Sequence, residues 1–203
     1  MFFFTYYSLS LFIGGLVALG SGLLVFLSNS KQLKSIIWLL LSISTGIWSF
    51  GYYSMLIASS KEAAVLSDII LHIGASFIPF FYLFFIITVI EELKKYKPFL
   101  FVFGIIAIYF ASVTPSVLFV TDVFSKGTLP YVPNAGPLYV AFTVYFFATV
   151  IFALILLSLK IKKVSKEEGH RLKYILFSSV AGFIGGSSVF LLTFNVLIPP
   201  FPV

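Results

Sequence analysis

Apolar residues form six long, nearly uninterrupted runs along the chain, and short polar stretches separate them. A membrane-spanning helix needs about 20 consecutive apolar residues, because it rises only about 1.5 Å per residue. The runs do not alternate between apolar and polar positions, which excludes membrane-spanning β-strands. The pattern therefore predicts an all-α fold, a polytopic bundle of six transmembrane helices. We place the spans at about residues 9–27, 36–57, 69–90, 98–120, 137–159 and 172–194.

Composition supports this assignment and removes several other classes. Of the 203 residues, 60% are hydrophobic and only 10% are charged, and the mean hydropathy is +1.11. These values exclude a soluble globular protein and indicate a single integral membrane domain over residues 1–203. The N-terminus lacks a basic segment and a small-residue cleavage motif, so the first apolar run is predicted to be a retained span. Because cysteine is absent, disulfides and thiolate metal sites are excluded.

The distribution of basic residues predicts the orientation in the membrane. All but two of the 13 Lys and Arg residues lie in the connections after the first, third and fifth spans, and the exceptions are Lys61 and Lys126. Connections rich in Lys and Arg stay on the cytoplasmic side of a membrane. We therefore expect both the N-terminus and the C-terminus to lie outside. The net charge of +6 is accounted for by this topology, so no nucleic-acid partner is expected.

A polar pair distinguishes the third apolar run from the other five. Asp68 and His72 are its only ionisable residues, and Pro79 lies near its middle, where it predicts a kink. Residues four apart share one face of a helix, so the pair is expected on one side of the outer half of the span, shallow enough for water to reach. Ionisable groups in a membrane are costly, and they usually face protein or water at a functional site.

Two interpretations of the pair stay open. In the first, Asp68 lies in the first helical turn, where it favours the helix dipole, and His72 is hydrogen-bonded to a neighbour. In the second, the pair belongs to an outward-facing site for a ligand or a proton, since histidine changes charge near neutral pH. Trp48, Tyr52 and Tyr139 are candidates to line such a site, although aromatic residues also serve as interfacial anchors and packing.

Small residues recur at four-residue spacing on two spans. They are Gly14, Ala18 and Gly22 on the first, and Ser178, Gly182 and Gly186 on the sixth. Such stripes let membrane helices approach closely, so we predict helix-packing faces. A gating hinge in the sixth span is the alternative. The longest outer connection, residues 121–137, contains three prolines and two glycines, which favours a structured turn capping the outer end of the bundle.

Motifs for catalysis and cofactor binding are absent from the sequence. It contains no phosphate-binding G-x-x-x-x-G-K-[ST] loop, no dinucleotide-binding G-x-G-x-x-G and no H-E-x-x-H zinc motif. Two histidines and seven carboxylates give few possible metal ligands, and only Asp68 and His72 are close in sequence. We therefore predict no catalytic residues, no metal and no cofactor.

Four short patterns at matching places in the spans resemble a known family. They are I-W-S-F-G-Y-Y ending the second span, I-G-A-S-F-I-P-F-F-Y in the third, N-A-G-P-L-Y-V opening the fifth and G-H-R-L-K-Y-I-L opening the sixth. Together they resemble the N-terminal seven-span sensor region of prokaryotic histidine kinases, a region that also precedes diguanylate cyclases. The pattern positions are Trp48, Gly51, Tyr52, Gly74, Pro79, Gly136, Pro137, Tyr139, Arg171 and Tyr174. The resemblance implies an architectural role for them and supplies no ligand contacts.

The resemblance implies a sensor module in a prokaryotic cell membrane, with the bilayer as its environment. Its stimulus would be a small molecule, a proton or a membrane property. The family's seventh span leads to a cytoplasmic kinase or cyclase domain, so we expect a chain truncated after the sixth span, not itself an enzyme. Kinases of this kind imply a possible homodimer. The alternative is a small transporter or permease component or an accessory membrane subunit, which would place polar residues near the membrane midplane.

Overall fold

Six α-helices and one β-hairpin make up the described part of the chain. The computed structural model describes the backbone of residues 2–196 and the side chains of residues 6–196. All six helices are long and apolar enough to cross a membrane, which confirms the predicted all-α class. The elements are α1 (Phe2–Ser28), α2 (Leu33–Leu56), α3 (Lys61–Val89), α4 (Leu93–Val113), β1 (Val120–Lys126), β2 (Leu129–Ala135), α5 (Pro137–Ile161) and α6 (Lys166–Thr193).

The third helix begins earlier than its apolar run. Ser60 is its N-cap, and its side chain accepts a hydrogen bond from the backbone N–H of Ala63. Glu62 therefore occupies the first turn, and Asp68 lies two turns deeper. The interpretation of Asp68 as a first-turn residue stabilised by the helix dipole is wrong, because apolarity marked only the part of the helix beyond its polar start. The helix continues through Pro79.

The fourth helix ends earlier than predicted, at Val113 instead of residue 120. Pro115 follows closely, and a proline has no backbone N–H to donate the hydrogen bond that would continue the helix. The chain then turns and forms the antiparallel strands β1 and β2. Gly127 has a φ of +59°, and it starts the two-residue turn between Lys126 and Leu129. The sequence predicted a structured turn here and missed both strands.

The hairpin caps one end of the bundle, as predicted for this connection. It contacts α2, α3, α5 and α6, and within the bundle α3 packs against α2, α4 and α5. The first helix packs on α2, whereas the main contacts of α6 are with α5 and β2. Helix α3 is therefore the centre of the fold, and α6 is held mainly along one side and at its hairpin end.

Glycines bring the backbones of α2 and α3 into direct contact. A Cβ atom on Gly74 would lie 2.7 Å from both the carbonyl oxygen of Ser44 and the backbone nitrogen of Trp48. On the other side of the contact, a Cβ on Gly51 would lie 2.8 Å from the backbone nitrogen of Leu71. Neither position has room for a side chain, so these two glycines set the separation of the two helices.

The small-residue stripe of α1 follows its prediction only in part. A Cβ on Gly22 would lie 2.5 Å from Cβ of Ser42, so this residue does pack against α2. Gly14 is half-buried, and Ala18 lines a cavity. The backbones of α1 and α2 are also joined by a hydrogen bond of 2.7 Å from Ser49 Oγ to the carbonyl oxygen of Leu11.

The stripe of α6 has few neighbours in the described part of the chain. No described atom outside the helix lies within 4 Å of the position that a Cβ would take on Gly182, and a Cβ on Gly186 would meet Trp48 of α2, at 3.9 Å. Ser178 lines the same open space. A packing face on α6 therefore stays a prediction, because small residues at helical spacing permit close approach without requiring it.

Replacing Gly74 with alanine tests the α2–α3 contact. We expect Gly74→Ala to lower the free energy of unfolding by about 1–3 kcal/mol, the usual cost of overpacking. Gly20→Ala is the matched control, because nothing lies within 4 Å of a Cβ there, and alanine favours a helix over glycine by up to about 1 kcal/mol. Thermal denaturation in detergent measures both, and equal stability of the two variants would contradict the assignment.

Candidate functional site

The polar pair of α3 lies inside the bundle and is joined by direct contacts. His72 Nδ1 is 3.0 Å from the backbone carbonyl oxygen of Asp68 and 3.1 Å from its carboxylate Oδ1. The side chains are 3% exposed in both residues. Water was expected to reach this depth, but protein side chains cover the pair, so that expectation is wrong for the pair itself.

Tyr139 of α5 completes a buried hydrogen-bonded chain. Its hydroxyl is 3.3 Å from Nε2 of His72. The backbone carbonyl oxygen of Asp68 can only accept a hydrogen bond, so Nδ1 carries the proton and donates to it. In a neutral imidazole Nε2 is then the acceptor, and the Tyr139 hydroxyl donates to it. The imidazole of His72 therefore connects α3 to α5. The position of its proton determines which partner donates in each of its two hydrogen bonds.

Aromatic rings surround the imidazole. Those of Phe119, Tyr139 and Phe142 all meet it edge-on, with ring centroids at 5.2, 5.4 and 6.2 Å. Phe119 is fully buried and lies just before β1, in the stretch that was predicted to be helical. These rings exclude solvent from His72 on the side of α5 and the hairpin, so its polar contacts with Asp68 and Tyr139 face little competition from water.

Trp48 and Tyr52 of α2 face the same region. Their rings lie 6.3 Å apart, and both side chains are buried. The Tyr52 hydroxyl interacts electrostatically with the Asp68 carboxylate and with the hydroxyl of Tyr7 on α1. The five residues singled out in the sequence therefore converge at one place, although they come from three different helices.

A cavity of about 370 Å³ borders this cluster and extends through much of the bundle. Its wall is built from α1, α2, α3, α5, α6 and β2. Trp48, Tyr52, His72 and Tyr139 line it, while Asp68 lies behind His72 and does not. The open space next to Gly182 and Gly186 is part of this cavity. Its size is within the range of small-molecule sites, which are concave and mostly apolar.

Polar atoms in the cavity wall lack protein partners of good geometry. Among the described side chains, these include Trp38 Nε1 and the hydroxyls of Tyr52 and Tyr82. Tyr7 and Ser179 are the polar neighbours of the two hydroxyls, but neither contact reaches hydrogen-bond geometry. Buried polar groups are nearly always satisfied by protein, water or ligand, so these three atoms give the cavity wall hydrogen-bonding capacity that the described side chains leave unused.

Lys126 attaches the hairpin to the end of α6. Its side chain is buried, and Nζ donates to the carbonyl oxygens of Pro133, at 3.0 Å, and Leu192, at 2.8 Å. The second of these is among the last carbonyls of α6, which lack a partner within the helix and carry its negative dipole end. Burial lowers the pKa of Lys126 from its ordinary value. From the sequence, Lys126 was noted only as one of two basic residues outside the connections that are predicted to be cytoplasmic.

A second contact of the hairpin, with the start of α3, is more exposed. Nζ of Lys61, at the start of α3, forms an ion pair with the Asp122 carboxylate of β1. This hydrogen bond and a second from the backbone N–H of Val123 lower the pKa of Asp122. Its contribution to stability is therefore present above the ordinary pKa of aspartate and is lost as the pH falls through the lowered value. The hairpin thus connects the start of α3, through Lys61, with the end of α6, through Leu192.

No metal centre is formed by the described residues. Within residues 6–196, no three His, Asp or Glu side chains come together. Asp68 and His72 alone would give a metal two protein ligands, and their near contact is with each other.

The fold and the cavity define a class of protein: an integral membrane protein with a helical bundle and an internal, partly polar pocket. The family described as the N-terminal 7TM region of histidine kinase matches residues 10–203, and the chain belongs to this family. It is therefore the type of membrane module that serves as the sensor of a kinase, and the predicted resemblance is confirmed. No curated protein and no solved structure shows significant similarity to the chain.

Substitution of Lys126 tests the attachment of the hairpin to α6. We expect Lys126→Met to speed amide hydrogen exchange at residues 189–196 by about ten- to a hundredfold, because a buried charged hydrogen bond contributes about 1.5–3 kcal/mol. Lys61→Met removes an exposed ion pair, which contributes about 0–1 kcal/mol, and should change exchange by less than about fivefold. Mass spectrometry of both variants in detergent measures this difference, and a larger effect of Lys61→Met would overturn the assignment.

Proposed function

We propose that this chain receives the stimulus of a histidine kinase at the cavity bordered by His72. The observation that carries the proposal is the buried chain of Asp68, His72 and Tyr139 in the wall of that cavity. A buried polar cluster of this kind is costly in a membrane and is usually kept for function. The stimulus we propose is a small molecule or a proton acting on this cluster.

The cluster supports a mechanism because its bonds join separate helices. His72 contacts α5 through Tyr139, and Tyr145 of α5 donates a second hydrogen bond to the backbone carbonyl of Ser76, at 3.1 Å. A change of partner at His72 removes one of these two links between α3 and α5. The main contacts of α6 are with α5 and β2, so a displacement of α5 is passed on to α6.

We propose the orientation predicted from the basic residues, with the hairpin and the His72 end of the cavity outside. The connection between α5 and α6 and the helix ends beside it carry six Lys and Arg residues, at positions 160–173, and would then lie in the cytoplasm. Movement of α5 and α6 would reach a kinase or cyclase domain of a longer parent protein there. Pairing of two such parents is part of the same proposal, in a prokaryotic membrane.

A proton is one candidate stimulus. The titratable side chains around His72 are Asp68 on its own helix, Tyr52 on α2 and Tyr139 on α5. Protonation of Nε2 would convert it from acceptor to donor, so the Tyr139 hydroxyl would reverse and offer its own hydrogen to the cavity. Binding of a ligand and protonation of His72 would then be coupled.

Signalling by variants of the full-length kinase tests the proposal. We expect Asp68→Asn and His72→Gln to change the stimulus level for half-maximal autophosphorylation by about five- to a hundredfold, the usual range of coupling between sites. His170→Gln is the matched control, since His170 is exposed and distant from the cluster in the chain, and it should respond like the wild type. The assay covers a pH series and candidate small molecules.

Two outcomes would contradict the proposal. One is an unchanged response of both cluster variants across the whole series while they remain folded and membrane-inserted. The other is stimulus-independent uptake of solute by proteoliposomes containing the chain, with loss of uptake on His72→Gln, which would support the transporter alternative instead.

A further inference from the structure

Three polar atoms at the packing of α1, α2 and α3 have no hydrogen-bond partner among the described residues. They are the hydroxyl of Tyr7 on α1, the hydroxyl of Tyr52 on α2 and the carboxylate Oδ1 of Asp68 on α3. Their residues are 0, 1 and 2% exposed, so bulk solvent does not reach them. Buried polar groups in folded proteins are nearly always hydrogen-bonded, so three such atoms on adjacent helices call for a shared partner.

The three atoms belong to one cluster. The rings of Tyr7 and Tyr52 pack edge-on, with centroids 5.9 Å apart. The Tyr52 hydroxyl interacts electrostatically with the Tyr7 hydroxyl and with the Asp68 carboxylate, but neither contact reaches hydrogen-bond geometry. Oδ1 of Asp68 also lies 3.1 Å from Nδ1 of His72, whose hydrogen bond goes to a backbone carbonyl oxygen. The atoms are therefore close together while their hydrogen-bonding capacity stays unused.

Side chains next to the cluster are apolar or already engaged. Leu11 of α1 and Leu71 of α3 lie three or four residues along the helix from the cluster, on the same faces, and both are buried. Ser49, three residues before Tyr52, donates its hydrogen bond to the carbonyl oxygen of Leu11. These described neighbours do not supply the missing partner, so a molecule held between the three helices is the remaining source.

A single water molecule matches what the three atoms require. An ionised carboxylate only accepts hydrogen bonds, whereas each tyrosine hydroxyl has a hydrogen to donate. A water that accepts from Tyr7 and Tyr52 and donates to Asp68 makes about three hydrogen bonds, the usual number for a buried water. A magnesium or calcium ion would find only these oxygens, about half of the six or more ligands that it takes.

We infer that one water molecule is bound between α1, α2 and α3 and is held by Tyr7, Tyr52 and Asp68. This bridging water extends the buried cluster of His72 and Tyr139 to the first helix. The inference goes beyond the proposed function, because it joins α1 to the helices that respond to the cluster. A hydrogen bond to an ionised group is stronger than one to a neutral group, so a change of charge at Asp68 is passed to α1 through the water.

Radiolytic labelling detects the bridging water. A short X-ray pulse converts a bound water into a hydroxyl radical that oxidises the side chain beside it, and mass spectrometry measures the product. Tyr7 is the reporter, because it does not line the large cavity. Tyr145 is the matched control, since it is also buried away from the cavity wall and its hydroxyl donates to the carbonyl oxygen of Ser76, at 3.1 Å. We expect Tyr7 to be oxidised several times faster than Tyr145, and equal rates would overturn the inference.

Variants of the other two groups show whether the oxidation of Tyr7 depends on the proposed site. Tyr52→Phe removes one donor and keeps the ring, and Asp68→Leu replaces the acceptor by an apolar side chain. In both variants we expect the oxidation rate of Tyr7 to fall toward that of Tyr145. A wild-type rate for Tyr7 in the conservative variant Tyr52→Phe, with Tyr145 still slow, would overturn the assignment of the ligands.

A double-mutant cycle tests whether the water joins α1 to α3. For Tyr7→Phe and Asp68→Asn, we expect the combined change in the unfolding equilibrium constant to depart from the product of the single changes by about three- to tenfold, as for a shared hydrogen bond. Tyr7→Phe with Tyr145→Phe is the matched control pair, and it should be additive because Tyr145 bonds to Ser76.

Two results of the cycle would overturn the inference. Additive effects of Tyr7→Phe and Asp68→Asn would mean that nothing joins these groups. Coupling combined with slow oxidation of Tyr7 would mean that the side chains bond directly and hold no water. Because neither measurement needs a kinase, their failure is separate from failure of the signalling test.

Discussion

The structure depends on the requirement that a polar group removed from water finds its partners within the protein. In a bilayer this requirement is strict, since lipid offers no hydrogen bonds. His72 meets it through the backbone carbonyl oxygen of Asp68 and the hydroxyl of Tyr139 on α5, while the Asp68 carboxylate lies 3.1 Å from the His72 ring without a hydrogen bond of good geometry. The position of α3 at the centre of the bundle follows, because only a helix with neighbours on several sides can carry such a pair without exposing it to hydrocarbon.

Small residues allow close contact between helices at some positions and leave open space at others. The neighbouring helix determines which of the two occurs. Gly51 and Gly74 bring α2 and α3 together until their backbones touch, which fixes one wall of the cavity. On α6, a Cβ on Gly186 would just touch Trp48 of α2, at 3.9 Å, and one on Gly182 would have no described atom within 4 Å. The candidate site lies between the close α2–α3 contact and this more open side of the bundle.

Much of the fold could be predicted from hydrophobic pattern alone, because long apolar runs have few alternatives to helices in a membrane. The convergence of Trp48, Tyr52, Asp68, His72 and Tyr139 could be anticipated from the high cost of a buried ionisable pair and from aromatic residues at a matching depth on the second and fifth spans. The hairpin was missed because prolines obscured its strand pattern, and Phe119 was missed with it. No local signal marked Lys126, whose partner on α6 is 66 residues away in sequence and is a backbone carbonyl.

The length of α3 introduces the bilayer itself as a mechanical variable. With 29 residues the helix is about 43 Å long, whereas the hydrocarbon core of a bilayer is about 30 Å thick. A helix longer than the hydrocarbon core tilts or projects beyond it. In a thinner membrane the tilt angle or the projecting length is larger. Since the hairpin is fastened to the first residue of α3 through Lys61 and Asp122, a change of tilt at the membrane is carried directly to the cap over the cavity. Membrane thickness would therefore act on α3, the helix that carries the proposed sensing cluster.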